Sequence, residues 1–194
     1  RRKFMSHADG LIHADLHTSN IMASRDKMKV IDMEFAFMGP FGYDLGYLVG
    51  NLISQYCAAC FKRFPSEQNR KQFKAYLLAT IKSLIETYMK TFTLCWEKSV
   101  KERYRGQQGL LQSILQEVME DVPGYASMVN WFRSVSEIPY PDFDIIEDKD
   151  AKRNATVLSL MIDWGIMFGR YKYQSADDLI ETIIGIEEEF RKSL

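Results

Sequence analysis

The rhythm of hydrophobic and polar positions changes once along this chain of 194 residues. Residues 1 to about 42 hold short apolar runs broken by turn residues, and from there on apolar positions recur at helical spacing. Leu11-Ile12 and Lys29-Val30-Ile31 read as short buried strands, with Ile21-Met22-Ala23 pairing with the latter across the polar turn Ser24-Arg25-Asp26-Lys27. Gly39-Pro40-Phe41-Gly42 breaks the chain before the first long helix. That helix holds the uncharged run Leu45 to Phe61, and Gly42, Gly46 and Gly50 leave one of its faces bare for another backbone to approach. A second helix is predicted from Ser66 to about Cys95, with Phe73, Tyr76, Leu77, Ile81, Leu84, Ile85, Tyr88 and Phe92 on its apolar face. A shorter one over Gln107 to Asp121 ends at Pro123-Gly124. Glu137 to Asp150, acidic and holding Pro139 and Pro141, reads as an extended connection. Ala151 to Arg170 is predicted helical. The last helix starts at Ser175, with Asp178 in near-capping-box position, and buries Leu179, Ile180, Ile183, Ile186 and Phe190. The fold class is α+β: a small β hairpin region (1–42) followed by a helical part (43–194), together one lobe.

Composition narrows the function classes. Lys plus Arg number 25 against 26 Asp plus Glu, with no long basic run, which argues against nucleic acid or an anionic membrane as a partner. The uncharged run is interrupted by Asn51, Ser54 and Gln55 and falls short of the ~20 apolar residues of a spanning helix. The 3 cysteines are too few for a disulfide framework, and Cys57-Ala-Ala-Cys60 lacks the other half of a zinc site. A reducing, cytoplasmic setting is the expectation. The basic start Arg1-Arg2-Lys3 leads into no apolar h-region, so it is not read as a signal peptide.

The chemistry concentrates in His13-Ala14-Asp15-Leu16-His17-Thr18-Ser19-Asn20 and Lys29-Val30-Ile31-Asp32-Met33-Glu34. The first string fits H-x-D-L-x-x-x-N, the catalytic loop of the protein-kinase-like fold, and the second is an acidic pair at a strand end. Phosphoryl transfer needs a carboxylate that orients the attacking hydroxyl and accepts its proton. It needs another that holds magnesium against the phosphates of ATP, with a neutral Asn oxygen completing the set. Alone, each element is weak: His13 reads as a structural histidine, Asp32 and Glu34 as a solvated strand end, Asp15 and Asn20 as turn-formers. Their joint occurrence, in order, is what carries the reading.

Leu11 to Thr18, with the run Asp32-Met33-Glu34-Phe35-Ala36-Phe37-Met38-Gly39-Pro40-Phe41-Gly42-Tyr43-Asp44-Leu45-Gly46, resembles the S-methyl-5-thioribose kinases. These share the catalytic loop with the choline kinases and aminoglycoside phosphotransferases. The likeness is sharp over residues 7 to 52 and weaker to the C-terminus. It implies a protein-kinase-like C-terminal lobe that moves the γ-phosphate of ATP, with Mg2+, to the anomeric hydroxyl of methylthioribose in methionine salvage. It further implies Asp15 as catalytic base and Asp32 and Glu34 as magnesium ligands. Asp44 becomes a brace for the catalytic loop and His13 a loop-organising residue. Asn20 follows the broader kinase pattern as a metal ligand beside the nucleotide. The resemblance also implies a homodimer, whose interface nothing in this sequence displays.

Three departures stand out. Ala14 occupies a position that is usually Gly in the family, and Ser19-Asn20 one that often holds a small hydroxyl residue or Gly. The family's adjacent arginine pair, which holds the sugar, is matched by a single Arg170 beside Gly169, and a cation there also suits a helix end. None of the 11 glycines forms the G-x-G of a phosphate-covering loop, and the catalytic loop lies 13 residues from the first residue. The expectation is therefore an isolated C-terminal lobe, lacking the N-terminal nucleotide lid and inactive without it. Another small alcohol, choline or an aminoglycoside, is the alternative acceptor, and a non-catalytic binding remnant the alternative of a different class. Trp96, Trp131 and Trp164 are read as core or helix packing in preference to a lining for a methylthio group.

Overall fold

The computed structural model describes residues 2–135 and 141–194, without the side chains of Arg2 and Val135. A short helix α1 (Arg2–Ser6) precedes strands β1 (Gly10–Ile12), β2 (Ile21–Ala23), β3 (Met28–Val30) and β4 (Phe37–Gly39). Helices α2 (Tyr43–Phe61), α3 (Glu67–Ser99), α4 (Glu102–Arg105), α5 (Leu110–Val135), α6 (Pro141–Asp144), α7 (Lys149–Gly169) and α8 (Ala176–Lys192) follow. The architecture is α+β, a kinase-like C-terminal lobe.

The hairpin expected around Ser24-Lys27 forms, with Ile21 opposite Val30 and Ala23 opposite Met28. A second antiparallel ribbon, not read from the sequence, pairs Gly10 with Gly39 and Ile12 with Phe37, so that β1 and β4 enclose the hairpin. The strands are less buried than expected: Leu11, Val30 and Ile31 are exposed, and of the large apolar strand side chains Ile12 alone is buried, against Tyr43 and Tyr125. Apolar and β-branched content supplied the strand signal, but burial needs a second layer. Each ribbon has two strands, and no helix covers those side chains among the described residues.

The core lies between the helices. Val49, Ile53, Tyr56 and Cys57 of α2 are enclosed, along with Ile81 of α3, Val122 and Ala126 of α5, Leu158 and Ile162 of α7, and Leu179 and Ile183 of α8. The glycine face of α2 does what its spacing predicts. A Cβ on Gly46 would lie 2.7 Å from the Tyr125 Cβ and 2.9 Å from the Val122 carbonyl oxygen, and one on Gly50 would lie 2.9 Å from the Ala126 oxygen. Because the Gly46 obstacles are a side-chain Cβ and a carbonyl oxygen fixed to the α5 backbone, Gly46→Ala should lower stability by about 1–3 kcal/mol, read as the midpoint of urea unfolding. An unchanged midpoint would mean that α5 can retreat at no cost.

Helix α5 corrects one expectation. It runs through Pro123-Gly124 instead of ending there. Proline removes one backbone donor, but Val118, Met119, Val122, Ala126 and Val129 continue a buried face across it, and that burial outweighs the local break. The Ser127 hydroxyl donates to the Pro123 carbonyl at 2.7 Å within the same turn. The connection before α7 is also more than an extended strap. Residues 136–140 lie outside the described residues, but α6 follows at once and plants Phe143, while Ile146 is buried beyond it.

Helix starts follow their sequence signals. Ser66 caps α3 by accepting from Asn69 N–H, Asp148 caps α7 through Ala151 N–H, and Ser175 with Asp178 forms a full capping box on α8. The tryptophans are not core but two of them pack along their own helices: Trp164, 70% exposed, lies 4.4 Å from the Phe168 ring and half-buried Trp96 stacks on Phe92 at 6.3 Å, while Trp131 is 60% exposed. Cys57 and Cys60 are buried small hydrophobes, and burial pushes the Cys60 thiol up to about 12. Helix α8 carries one buried charge, Glu187, which accepts from Tyr56 OH of α2, from Lys74 of α3, and from Arg191 at 2.6 Å. No helix among the described residues is long and apolar enough to cross a membrane.

Candidate active site

The loop after β1 is held from three sides. The Asp44 carboxylate, in the first turn of α2, accepts from the His13 N–H at 2.6 Å and from the Ala14 N–H at 2.9 Å. His13 is buried, with Nε2 2.8 Å from the Ile31 carbonyl and Nδ1 3.3 Å from the Asp15 N–H. Only one tautomer satisfies both contacts: Nε2–H donates to the carbonyl and Nδ1 accepts from the amide. Both ring nitrogens are then occupied by backbone, so the ring organises the loop and has no lone pair left to act as a base. Asn20 closes the turn: Nδ2 donates to the Asp15 carbonyl at 3.0 Å, and its own carbonyl accepts from the Ile31 N–H.

His13 and Asn20 therefore both tie the loop to Ile31, the residue before Asp32. Two non-glycine residues have left-handed backbone among the described residues, Ala14 at φ 68° and Asp32 at φ 66°. They sit at the two ends of the His13–Ile31 bond. Backbone strain of this kind persists only where surrounding contacts over-determine it, and it concentrates at functional sites. At Ala14 the geometry supplies a physical reason for the glycine usual in the family. Ala14→Gly should raise stability by about 1 kcal/mol in urea unfolding, since a left-handed alanine costs about that much. Destabilisation would mean that the loop is not strained at this position.

The Asp15 carboxylate is 28% exposed. Its Oδ1 accepts from the Tyr47 hydroxyl at 2.9 Å, and its Oδ2 stands 3.4 Å from His17 Nε2. Asp32 and Glu34 are exposed. Among the described residues they do not gather with another His, Cys, Asp or Glu into a ready-made metal cluster. The donor types nonetheless fit magnesium: it takes hard oxygen ligands, uses one or two carboxylates, and leaves its other positions to water and substrate phosphates. With the Asn20 amide nitrogen engaged, its side-chain oxygen is the atom left to join Asp32 and Glu34.

Arg170 lies elsewhere. It follows α7, pairs with the Tyr171 hydroxyl, and packs against α5, where a Cβ on Gly124 would meet its Nη1 at 2.8 Å. Its hydrogen-bond partners, Tyr171 and Met167, are its own neighbours in the chain and not residues 13–20. Sequence reading passed over Tyr47, Asn51 and Arg133. Asn51 Oδ1 accepts from the Thr18 N–H at 3.3 Å, and the Arg133 guanidinium lies 5.9 Å from the centre of the Tyr47 ring. The available signal was periodicity, because Asp44, Tyr47 and Asn51 share one face of α2.

Residues 2–84 match the phosphotransferase enzyme family known as APH. The chain is 31% identical over 187 residues to a methylthioribose kinase of Geobacillus thermodenitrificans, covering 96% of this chain and 45% of that protein. A methylthioribose kinase of a Geobacillus species is 31% identical over 92% of this chain and 42% of its own length. One from Yersinia enterocolitica is 28% identical over 94% of this chain and 45% of its own. The chain thus spans less than half the length of these relatives. Along nearly its whole length it is similar to the C-terminal part of methylthioribose kinases, and over residues 2–84 to the wider phosphotransferase enzyme family.

Proposed function

We propose that this chain is the catalytic lobe of a kinase-type phosphotransferase that moves the γ-phosphate of ATP to a hydroxyl of a small sugar, with methylthioribose as the acceptor. The observation that carries the reading is the pinned loop. Asp44, His13 and Asn20 fix the backbone on either side of Asp15, while its carboxylate stays partly open. In transfer, the acceptor oxygen bonds to the γ-phosphorus, the bond from that phosphorus to ADP breaks, and the hydroxyl proton passes to Asp15. Such transition states are loose, so most of the catalysis is positioning and charge placement, and a held carboxylate is what the reaction needs from this lobe. Asp32, Glu34 and the Asn20 oxygen are the residues proposed to hold magnesium, which when bound offsets negative charge on the phosphates.

Methylthioribose is favoured among acceptors by the names of the relatives and by the Asp32-x-Glu34-Phe35-Ala36-Phe37-x-Gly39-Pro40 run. The reading includes action alongside a nucleotide-covering lobe and a reducing, cytoplasmic setting, in keeping with three free cysteines. The test is ADP release by the longest natural protein that contains residues 1–194, assayed with methylthioribose, choline and an aminoglycoside in parallel. Turnover with methylthioribose alone is expected. Turnover with choline or the aminoglycoside alone would overturn the acceptor assignment and keep the chemistry.

A further inference from the structure

Helix α2 presents Asp44, Tyr47 and Asn51 along one face, and each holds a different part of the loop beneath it. Asp44 takes two backbone amides, Asn51 takes the Thr18 amide, and Tyr47 reaches the side chain that carries the proposed chemistry. Its hydroxyl donates to Asp15 Oδ1 at 2.9 Å, within ordinary hydrogen-bond range, whereas Oδ2 has His17 Nε2 at 3.4 Å. One oxygen of the carboxylate is therefore fixed and the other is left to receive a proton.

The Tyr47 ring has little freedom to wander. Tyr43 lies edge-on at 6.1 Å, the His17 ring at 6.5 Å, and the Arg133 guanidinium at 5.9 Å. Burial pushes the phenol up, with Arg133 pulling the other way, so the hydroxyl stays a donor across the working range of pH. A tyrosine that served only to fill space would not need its hydroxyl on a half-open carboxylate.

We propose that Tyr47 is a positioning residue for Asp15, its hydroxyl selecting the carboxylate rotamer in which Oδ2 faces the acceptor hydroxyl. This rests on the phosphotransferase reading above, and it adds a device that neither the H-x-D-L-x-x-x-N string nor the acidic pair contains.

The experiment is a double-mutant cycle of Tyr47→Phe and Asp15→Asn in the longest natural protein carrying this lobe, with kcat and both KM values measured against ATP and methylthioribose. Tyr47→Phe should lower kcat about tenfold, the worth of one hydrogen bond to a charged group, and leave each KM within about twofold. In the Asp15→Asn background the same change should cause no further loss, because the hydroxyl acts through the carboxylate. Wild-type kcat in Tyr47→Phe, with Asp15→Asn inactive, would overturn the inference and leave the phosphotransferase reading standing. A tenfold loss that persists in the Asp15→Asn background would assign the hydroxyl another role. A loss accompanied by a fall of more than about 5 °C in thermal midpoint would assign it to packing. Full activity in Asp15→Asn would remove Asp15 as the proton acceptor, whereas no turnover of any acceptor by the unaltered protein would sink the phosphotransferase reading itself.

Discussion

Asp15→Asn is expected to lower turnover by about 10²–10⁴-fold, the range associated with loss of a positioned general base. The substitution is close to isosteric, and the amide oxygen can still accept from the Tyr47 hydroxyl. The backbone bonds from Asp44, His13 and Asn20 do not involve the altered side chain. Folding and substrate binding should therefore survive while proton acceptance is lost, so the effect falls on kcat and leaves KM near its starting value. The check is steady-state ADP release alongside a thermal melt. A loss of less than tenfold with an intact melt would show that the acceptor proton goes elsewhere.

The second large effect concerns stability. Glu187 is buried between α2, α3 and α8, and it accepts from Tyr56, Lys74 and Arg191. Burial alone would raise its carboxyl, but the hydrogen bonds from Lys74, Tyr56 and Arg191 outweigh it and hold the group at about 2. A carboxylate with a depressed value stabilises the fold fully above its ordinary range, near 4.5. That contribution, about 3 kcal/mol, is lost as pH falls from there toward 2. Acid unfolding should begin in this window, and Glu187→Ala should remove most of the pH dependence there.

The same variant leaves Lys74 without its closest partner in a site only 18% exposed. Breaking one side of a buried pair typically costs about 3–5 kcal/mol, which for a protein of this size lowers the thermal midpoint by roughly 10 °C. A change under 1 kcal/mol would mean that the cluster's Coulombic gain is cancelled by its desolvation cost.

Local signals carried the reading where local physics decides. Ser66 and Ser175 announce helix starts because a cap is a contact within four residues, and the Ser24–Lys27 turn announces the hairpin for the same reason. The glycine face of α2 was also legible, since a bare stripe has few uses other than close approach. Distant contacts were not legible. Proline at 123 reads as a stop until α2 is known to bury both sides of it, and β4 has no signal of its own apart from its pairing with β1. The exposed strands and tryptophans failed for one reason: apolar character predicts a preference for burial, and only the fold decides whether a partner layer is there.

The candidate site divides the same way. His13, Asp15, Asn20, Asp32 and Glu34 could be picked out because they lie within 22 residues of one another in a recognisable order. Tyr47 was marked only by sharing the α2 face of Asp44, and Arg133 not at all, because its place over the Tyr47 ring depends on how α5 docks against α2. The left-handed backbone at Ala14 and Asp32 was likewise invisible, being imposed by the His13–Ile31 bond and the Asp44 clasp.

The most direct test of the account follows the phosphate itself. The longest natural protein containing this lobe would be given γ-labelled ATP, magnesium and methylthioribose, with Asp15→Asn alongside. The account predicts a labelled sugar phosphate, formed in step with ADP by the unaltered protein and lost in the variant. ADP release that ignores the acceptor, or labelled product made equally well by Asp15→Asn, would contradict it.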